Sequence, residues 1–423
     1  MLALTRTHAR LALGALARGL AVALALVVPT ACAERGTVRA GREPPDAVSA
    51  ASAHERAPLR LIFVTDLEGV LEPCGCGGGP AGGVDRLVAA VDELRHGADR
   101  AEVLAAGDSF YAREAQPAAR VQDRWKAEMI ADVLARMNAL LIADAQSALV
   151  ALPGTPLRVA VLGEAPSPYA LAALSGAIAL HTGHAQASGA AASGEALVVR
   201  GARRSEGLLW IDVWPSDQAG AGWRVATAAP REPAIAHAAR IGARQLDASA
   251  PQDAEVRAQL DALFARIGAH NAAVPSAEHA VARPLPDDDH AGAETCAACH
   301  TPAYFWWRNS PHGRSLATLE GRGRALDFDC VGCHATGPPP SARAPEAPPA
   351  HAGVGCESCH GAGRAHADNP AAHPLPSAVP ERRCRACHDR DHSPAFDHAR
   401  AALRLVAPGH GAALRAGAGS APP

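Results

Sequence analysis

Apolar positions along this chain change their spacing several times, and each change marks an element. Residues 19–28 form one continuous apolar run, preceded by Arg6, Arg10 and Arg18. A positive flank before so short an apolar stretch is the pattern of a secretory signal, too short for a lasting membrane span. Ala31-Cys32-Ala33 offers a small-residue cleavage site, which gives a signal peptide over 1–33. Lipidation of Cys32 is the alternative, and only then is the protein expected at a membrane. An Ala-, Pro- and charge-rich linker follows over 34–57. Apart from Arg60, residues 59–64 are apolar and rich in β-branched side chains without alternation, as in a strand buried on both faces. Val84, Leu87, Val88, Val91 and Leu94 then recur at helical spacing. A short strand is predicted over 103–106, a helix over 121–137, and further strands over 140–143, 157–162, 196–199 and 208–213. Strands alternating with helices predict a layered α/β domain over 58–230.

Beyond it the pattern predicts a helical spacer over 231–270, with Val256, Leu260, Leu263, Phe264 and Ile267 on one stripe. A polar, Pro-containing hinge follows over 271–292, then a Cys- and His-rich segment over 293–400 and a Gly-, Ala- and Pro-rich disordered tail over 401–423. The formal charge is −3 with a pI of about 6.7, so no basic field points to nucleic acid.

The Cys- and His-rich segment carries the chemistry. Four pentapeptides share one form: Cys296-Ala-Ala-Cys299-His300, Cys330-Val-Gly-Cys333-His334, Cys356-Glu-Ser-Cys359-His360 and Cys384-Arg-Ala-Cys387-His388. Cys-x-x-Cys-His is the attachment signature of c-type haem. Two thiols add to the two vinyl groups of one porphyrin, and the adjoining His ligates the iron. Four copies predict four covalent haems. Zinc is the alternative for paired Cys-x-x-Cys elements, but zinc needs no His directly after each pair. Export agrees with this reading, because c-type attachment takes place outside the bacterial cytoplasm. Of the 11 cysteines only Cys32, Cys74 and Cys76 lie outside the motifs. The sixth ligand of each iron decides between closed electron-transfer sites and an open, reactive one. The histidines available within the segment are His312, His366, His392 and His398, with His290, His351 and His373 less favoured.

Around the first motif the run Cys299-His300-Thr-Pro-Ala-Tyr304-Phe-Trp-Trp307-Arg-Asn-Ser310-Pro-His312 resembles the multihaem cytochromes of the cytochrome c-554 type. That family shows Cys-x-x-Cys-His-x-x-x-Tyr-x-x-Trp-x-x-Ser-x-His. The similarity continues through Cys330 to Gly337, through Gly355 to His366, and through Cys384 to Phe396. It implies a mainly helical, haem-packed domain, and it implies His312, His366 and His392 as distal ligands. One site then stays open unless His398 closes it. The aromatic cluster Tyr304, Phe305, Trp306 and Trp307 is expected to pack in a core, against a porphyrin face.

The N-terminal part resembles another family. Phe63-Val-Thr-Asp66 and Ala105-Ala-Gly107-Asp108 are similar to the first two metal-binding blocks of calcineurin-like metallophosphoesterases, in the 5′-nucleotidase and UDP-sugar hydrolase branch. The active pattern is Asp-x-His, Gly-Asp, Gly-Asn-His-Glu and Gly-His-x-His, which builds a two-metal site. This chain has Glu68 where the first His is expected, no Asn-His pair near Asp144, and Gln186 in place of the last His. An incomplete ligand set argues against phosphoesterase activity. Pro73-Cys74-Gly-Cys76 and Gly82-Gly-Val-Asp-Arg86 resemble a non-catalytic relative of that branch. Cys74 and Cys76 are suited to a soft metal, a disulfide or a redox dithiol. Together these features predict an exported tetrahaem carrier passing electrons between periplasmic or surface redox partners. The alternatives are a redox enzyme with one open haem, and a phosphoesterase or nucleotidase with a cytochrome tail.

Overall fold

The computed structural model describes residues 57–405, apart from 73–81, 112–120, 143–148, 163–173, 183–188, 194–195, 217, 219–220, 228, 230–235, 274–288, 337–352, 390–391 and 394. The expected signal peptide, Cys32, Cys74, Cys76, Asp144, Gln186 and His351 therefore lie outside the described residues.

Strand β1 (Leu59–Thr65) pairs in parallel with β2 (Arg100–Ala106), and β2 in parallel with the two-residue β3 (Leu140–Leu141). On its other side β1 runs antiparallel to β9 (Gly207–Trp214), which pairs antiparallel with β11 (His237–Gln245). The edge strand β10 (Trp223–Val225) completes six strands. A second sheet orders β4 (Val150–Ala151), β5 (Arg158–Leu162), β6 (Ile178–His181), β8 (Ala196–Arg200) and β7 (Gly189–Ser193).

The continuous apolar run of β1 is explained by the layers on either side. Ile62 and Val64 face helices α1 (Val84–His96), α2 (Val121–Arg136) and α3 (Ala254–Ala273). Leu61 and Phe63 point the other way and meet Val159, Ile178, Leu180 and Val199 of the second sheet. Helices, sheet and sheet thus form three layers. The predicted stripe on α3 is real: Val256, Leu260, Phe264 and Ile267 are buried, each worth about 1.5–3 kcal/mol.

The spacer over 231–270 is corrected. Residues His237–Gln245 of it form β11, and among its described residues the helix is Ala254–Ala273. The Ala-rich sequence favours helix by local propensity, but the ladder from Ala238 opposite Trp214 to Gln245 opposite Gly207 overrides it. Gly242 marks the register, since a Cβ there would lie 2.2 Å from the Trp210 ring. The α/β domain therefore runs past 230 to the end of α3.

The segment after 289 is a chain of short helices: α4 (Ala293–Ala297), α5 (Thr301–Arg308), α6 (Ser315–Glu320), α7 (Phe328–His334), α8 (Cys356–His360), α9 (Arg364–Asp368), α10 (Glu381–Arg385) and α11 (His398–Arg404). Helix α11 crosses the boundary at which a disordered tail was expected to begin. The apolar cluster of this segment is small, built on Leu316, Leu319, Val331 and Ala335. Of the aromatic cluster, Phe305 is 54% exposed, and Trp307 is tied by its indole N–H to the Val354 carbonyl at 2.8 Å.

Candidate functional site

Each pentapeptide coincides with one helical turn. Residues i, i+3 and i+4 share a face of such a turn, so two thiols and an imidazole point to the same side. The backbone closes it: the N–H of His300 donates to the Cys296 carbonyl, and that of His388 to the Cys384 carbonyl, both at 2.8 Å. No disulfide joins any of the eight motif cysteines.

Tertiary structure brings the turns against one another. The Cys296 and Cys356 thiols hydrogen-bond to each other, lowering Cys296 from the usual thiol value and raising Cys356. The Cys333 and Cys387 thiols do likewise, and this contact is the main reason Cys387 is lowered to about 7. The first motif thus meets the third, the second meets the fourth, and Cys359 of the third also lies near Cys384 and Cys387 of the fourth.

The imidazoles follow the same logic. His300 and His366 have ring centroids 6.4 Å apart and planes 23° apart. His312 and His388 have centroids 6.1 Å apart at 60°. Two imidazoles ligating one metal ion, each through a nitrogen about 2 Å from it, set their ring centres about 6 Å apart. The Nδ1 atoms are engaged elsewhere: that of His334 donates to the Ser315 carbonyl at 2.9 Å, that of His360 to the Pro376 carbonyl at 2.8 Å, and that of His366 to the His373 carbonyl at 2.9 Å. His388 Nδ1 lies 3.0 Å from the Ser393 hydroxyl, and its ring stacks on Phe396 at 4.5 Å. A proton held on Nδ1 leaves the lone pair on Nε2, the tautomer that ligates iron, and makes the ligand more basic. The donor set therefore fits haem. His392 donates from Nδ1 to Asp389 at 2.8 and 2.9 Å, near Cys387. His290 is 3% exposed, its carbonyl accepting from Arg364. His398 starts α11.

Two polar anchors, which sequence reading missed, hold these turns. The Glu357 carboxylate, 5% exposed, accepts from the backbone N–H groups of Ala291, Gly292 and Gly363 at 2.8, 2.9 and 2.7 Å. It thereby joins the third motif to the entry of the first and to the turn before His366. The Ser315 hydroxyl bonds the His312 and His334 carbonyls at 2.7 and 2.8 Å and accepts from Val354 N–H at 3.0 Å. Neither residue belongs to a pentapeptide repeat at the position that signals haem.

In the α/β domain, Asp66 and Asp108 do come together at the C-terminal ends of β1 and β2. Asp108 N–H donates to Asp66 Oδ1 at 3.2 Å. Gly107 between the strands has φ +78, and a Cβ there would meet that same oxygen at 2.3 Å. Glu68, in the position of the missing His, is 8% exposed and faces two guanidinium groups. Arg203 donates to its Oε1 and Arg204 to its Oε2, from their Nε atoms at 2.9 and 2.8 Å. Among the described residues no group of three or more His, Cys, Asp or Glu side chains is placed to hold a metal ion.

Residues 295–361 match the family model of cytochrome c554 and c-prime. The cytochrome c-554 of Nitrosomonas europaea is 34% identical, over 17% of this chain and 38% of the relative's length. The C-terminal segment thus carries a cytochrome c554 domain, and the matched stretch spans less than half of that relative. Among solved structures, a 5′-nucleotidase precursor from Thermus thermophilus covers 50% of this chain and 59% of its own, at 15% identity and a TM-score of 0.30. The sulfate thiohydrolase SoxB of the same organism covers 51% and 62%, at 14% identity and a TM-score of 0.30. The layered α/β architecture described above rests on this chain's own sheets.

Proposed function

We propose that the protein is an exported tetrahaem cytochrome that carries electrons between redox partners in the periplasm or at the cell surface. The observation that carries this reading is the pairing of the turns, with His366 facing His300 and His312 facing His388 across a metal-sized gap. Cys296 with Cys299, Cys330 with Cys333, Cys356 with Cys359 and Cys384 with Cys387 hold the four haems, and His300, His334, His360 and His388 are the proximal ligands. Bound haem supplies reversible one-electron chemistry at a potential that ligands, burial and hydrogen bonds tune. The chain's own residues do the rest. The Nδ1 contacts orient the imidazoles, and Glu357 and Ser315 fix the turns. Adjacent sites shorten each electron step.

The arginine-rich run before residue 19 supports export. Glu68, held by Arg203 and Arg204, supports a role for the α/β domain other than two-metal hydrolysis.

Intact mass and the alkaline pyridine spectrum of the purified protein are expected to report four covalent haems. A protein with zinc and no haem overturns the reading. Optical and spin-resonance spectra with carbon monoxide separate the carrier from a redox enzyme, because only an open iron binds the gas.

A further inference from the structure

A buried ion pair joins the α/β domain to the second motif, and the electron-carrier reading does not by itself require it. Lys126 of α2 is 6% exposed, and its Nζ donates to both oxygens of Asp327 at 2.9 Å and to Asp329 Oδ2 at 2.7 Å. Asp327, 4% exposed, also accepts from Gln122 Nε2 at 3.1 Å. Gln122 Oε1 in turn accepts from the Asn271 amide at 2.8 Å and from Phe328 N–H at 3.2 Å. Asn271 also donates to the Leu326 carbonyl at 2.7 Å, so α2, α3 and the entry to α7 share one saturated network. Burial by itself would lower Lys126, but the carboxylates of Asp327 and Asp329 outweigh it and hold the ammonium above the usual lysine value.

Asp327 is also the N-cap of α7. Its side chain accepts from Asp329 N–H at 3.1 Å, and its carbonyl accepts from the N–H groups of Cys330 and Val331 at 3.0 Å. The same short helix presents Cys330, Cys333 and His334. Lys126, Asp327, Asp329 and Arg324 all act electrostatically on the Cys330 side chain. Taking an ion pair out of water costs several kcal/mol per ion, and apolar residues often stabilise such a site as well. A fixed charge pair at this place is therefore better explained by what it does to its neighbour. In a low-dielectric site a single charge acts strongly over several ångströms.

We infer that Lys126 and Asp327 set the reduction potential of the haem carried by Cys330, Cys333 and His334, with the α/β domain supplying the positive charge. This rests on the haem reading above. The two residues are positioning residues that act on the iron through space. Neutralising Lys126 leaves the carboxylates of Asp327 and Asp329 unbalanced beside the site, which favours the oxidised iron and lowers the potential. Neutralising Asp327 removes one of the two carboxylates, leaves Lys126 balanced by Asp329 alone, and raises it.

The test is a spectroelectrochemical titration of the full-length holoprotein. Cys330→Ala/Cys333→Ala lacks this haem and so identifies its wave among the four. Lys126→Met is expected to shift that one wave down and Asp327→Asn to shift it up, with the other waves unmoved. A merely structural role moves no wave, or moves both variants in the same direction, and either result with four haems attached overturns the inference. Asp329, 43% exposed, is less needed for folding. Asp329→Asn is expected to raise the same wave, and it decides the matter if the buried variants do not fold. A parent protein with no haem at Cys330 and Cys333 overturns the haem reading instead, and the inference with it.

Discussion

His300 and His366 face each other with ring centroids 6.4 Å apart, although one belongs to the first attachment motif and the other follows the third. Glu357 is the physical link, since its carboxylate binds backbone N–H groups at the entry of the first motif and just before α9. His366→Ala is expected to convert one haem from low to high spin with its covalent attachment kept. His312→Ala is expected to do the same to the haem of His388. Spin-resonance and optical spectra check both, and parent-like spectra in the two variants remove these pairings.

Glu357→Ala strips two buried and one half-buried backbone N–H groups of their acceptor. Each unsatisfied group costs about 1–3 kcal/mol. The variant is expected to lose at least about 2 kcal/mol in denaturant unfolding, and to broaden the low-spin signal of the His300 site. Full stability in the variant would mean that the N–H groups find other acceptors.

Acid should weaken the first sheet at Asp212. Burial pushes this carboxyl up, but hydrogen bonds from Arg60 at 2.7 Å and Arg240 at 2.6 Å outweigh it and hold it below the usual carboxylate value. A group depressed on folding contributes stability that is present above its unfolded value, about 3.9 for Asp. That stability is lost as pH falls through the folded value. Asp212→Asn is expected to flatten this acid limb and, by leaving two guanidinium groups unbalanced, to cost about 3–5 kcal/mol at pH 7. Unfolding curves between pH 7 and pH 3 measure both effects.

The α/β domain is expected to hydrolyse neither 5′-nucleotides nor UDP-sugars, even with excess manganese, zinc or cobalt. Asp66 and Asp108 meet as in a metal site, yet Glu68, which stands where a ligating His is needed, is bound by Arg203 and Arg204. Two carboxylates alone hold such ions weakly, and a two-metal centre needs its full set. Turnover that disappears on Asp108→Ala would reverse this conclusion.

Some of this protein is written locally. Three ligating groups within five residues need only one helical turn to share a face, so the four attachment motifs are legible in the sequence. The same holds for β1, apolar on both faces, and for the stripe of α3, because burial selects side chains one by one. The decisive contacts are not local. Lys126 meets Asp327 across 201 residues, and neither carries a sequence signal, because charged residues ordinarily lie in water. Which motif faces which, and which histidines are brought together, depends on how the short helices are tied by Glu357 and Ser315. The strand β11 was hidden because its Ala-rich sequence has no strong preference of its own, and a neighbouring strand supplied the hydrogen bonds. Residue spacing determined the attachment chemistry within each turn; only the tertiary structure, which joins distant segments through buried polar groups, decided how the turns pair and which charges stand beside them.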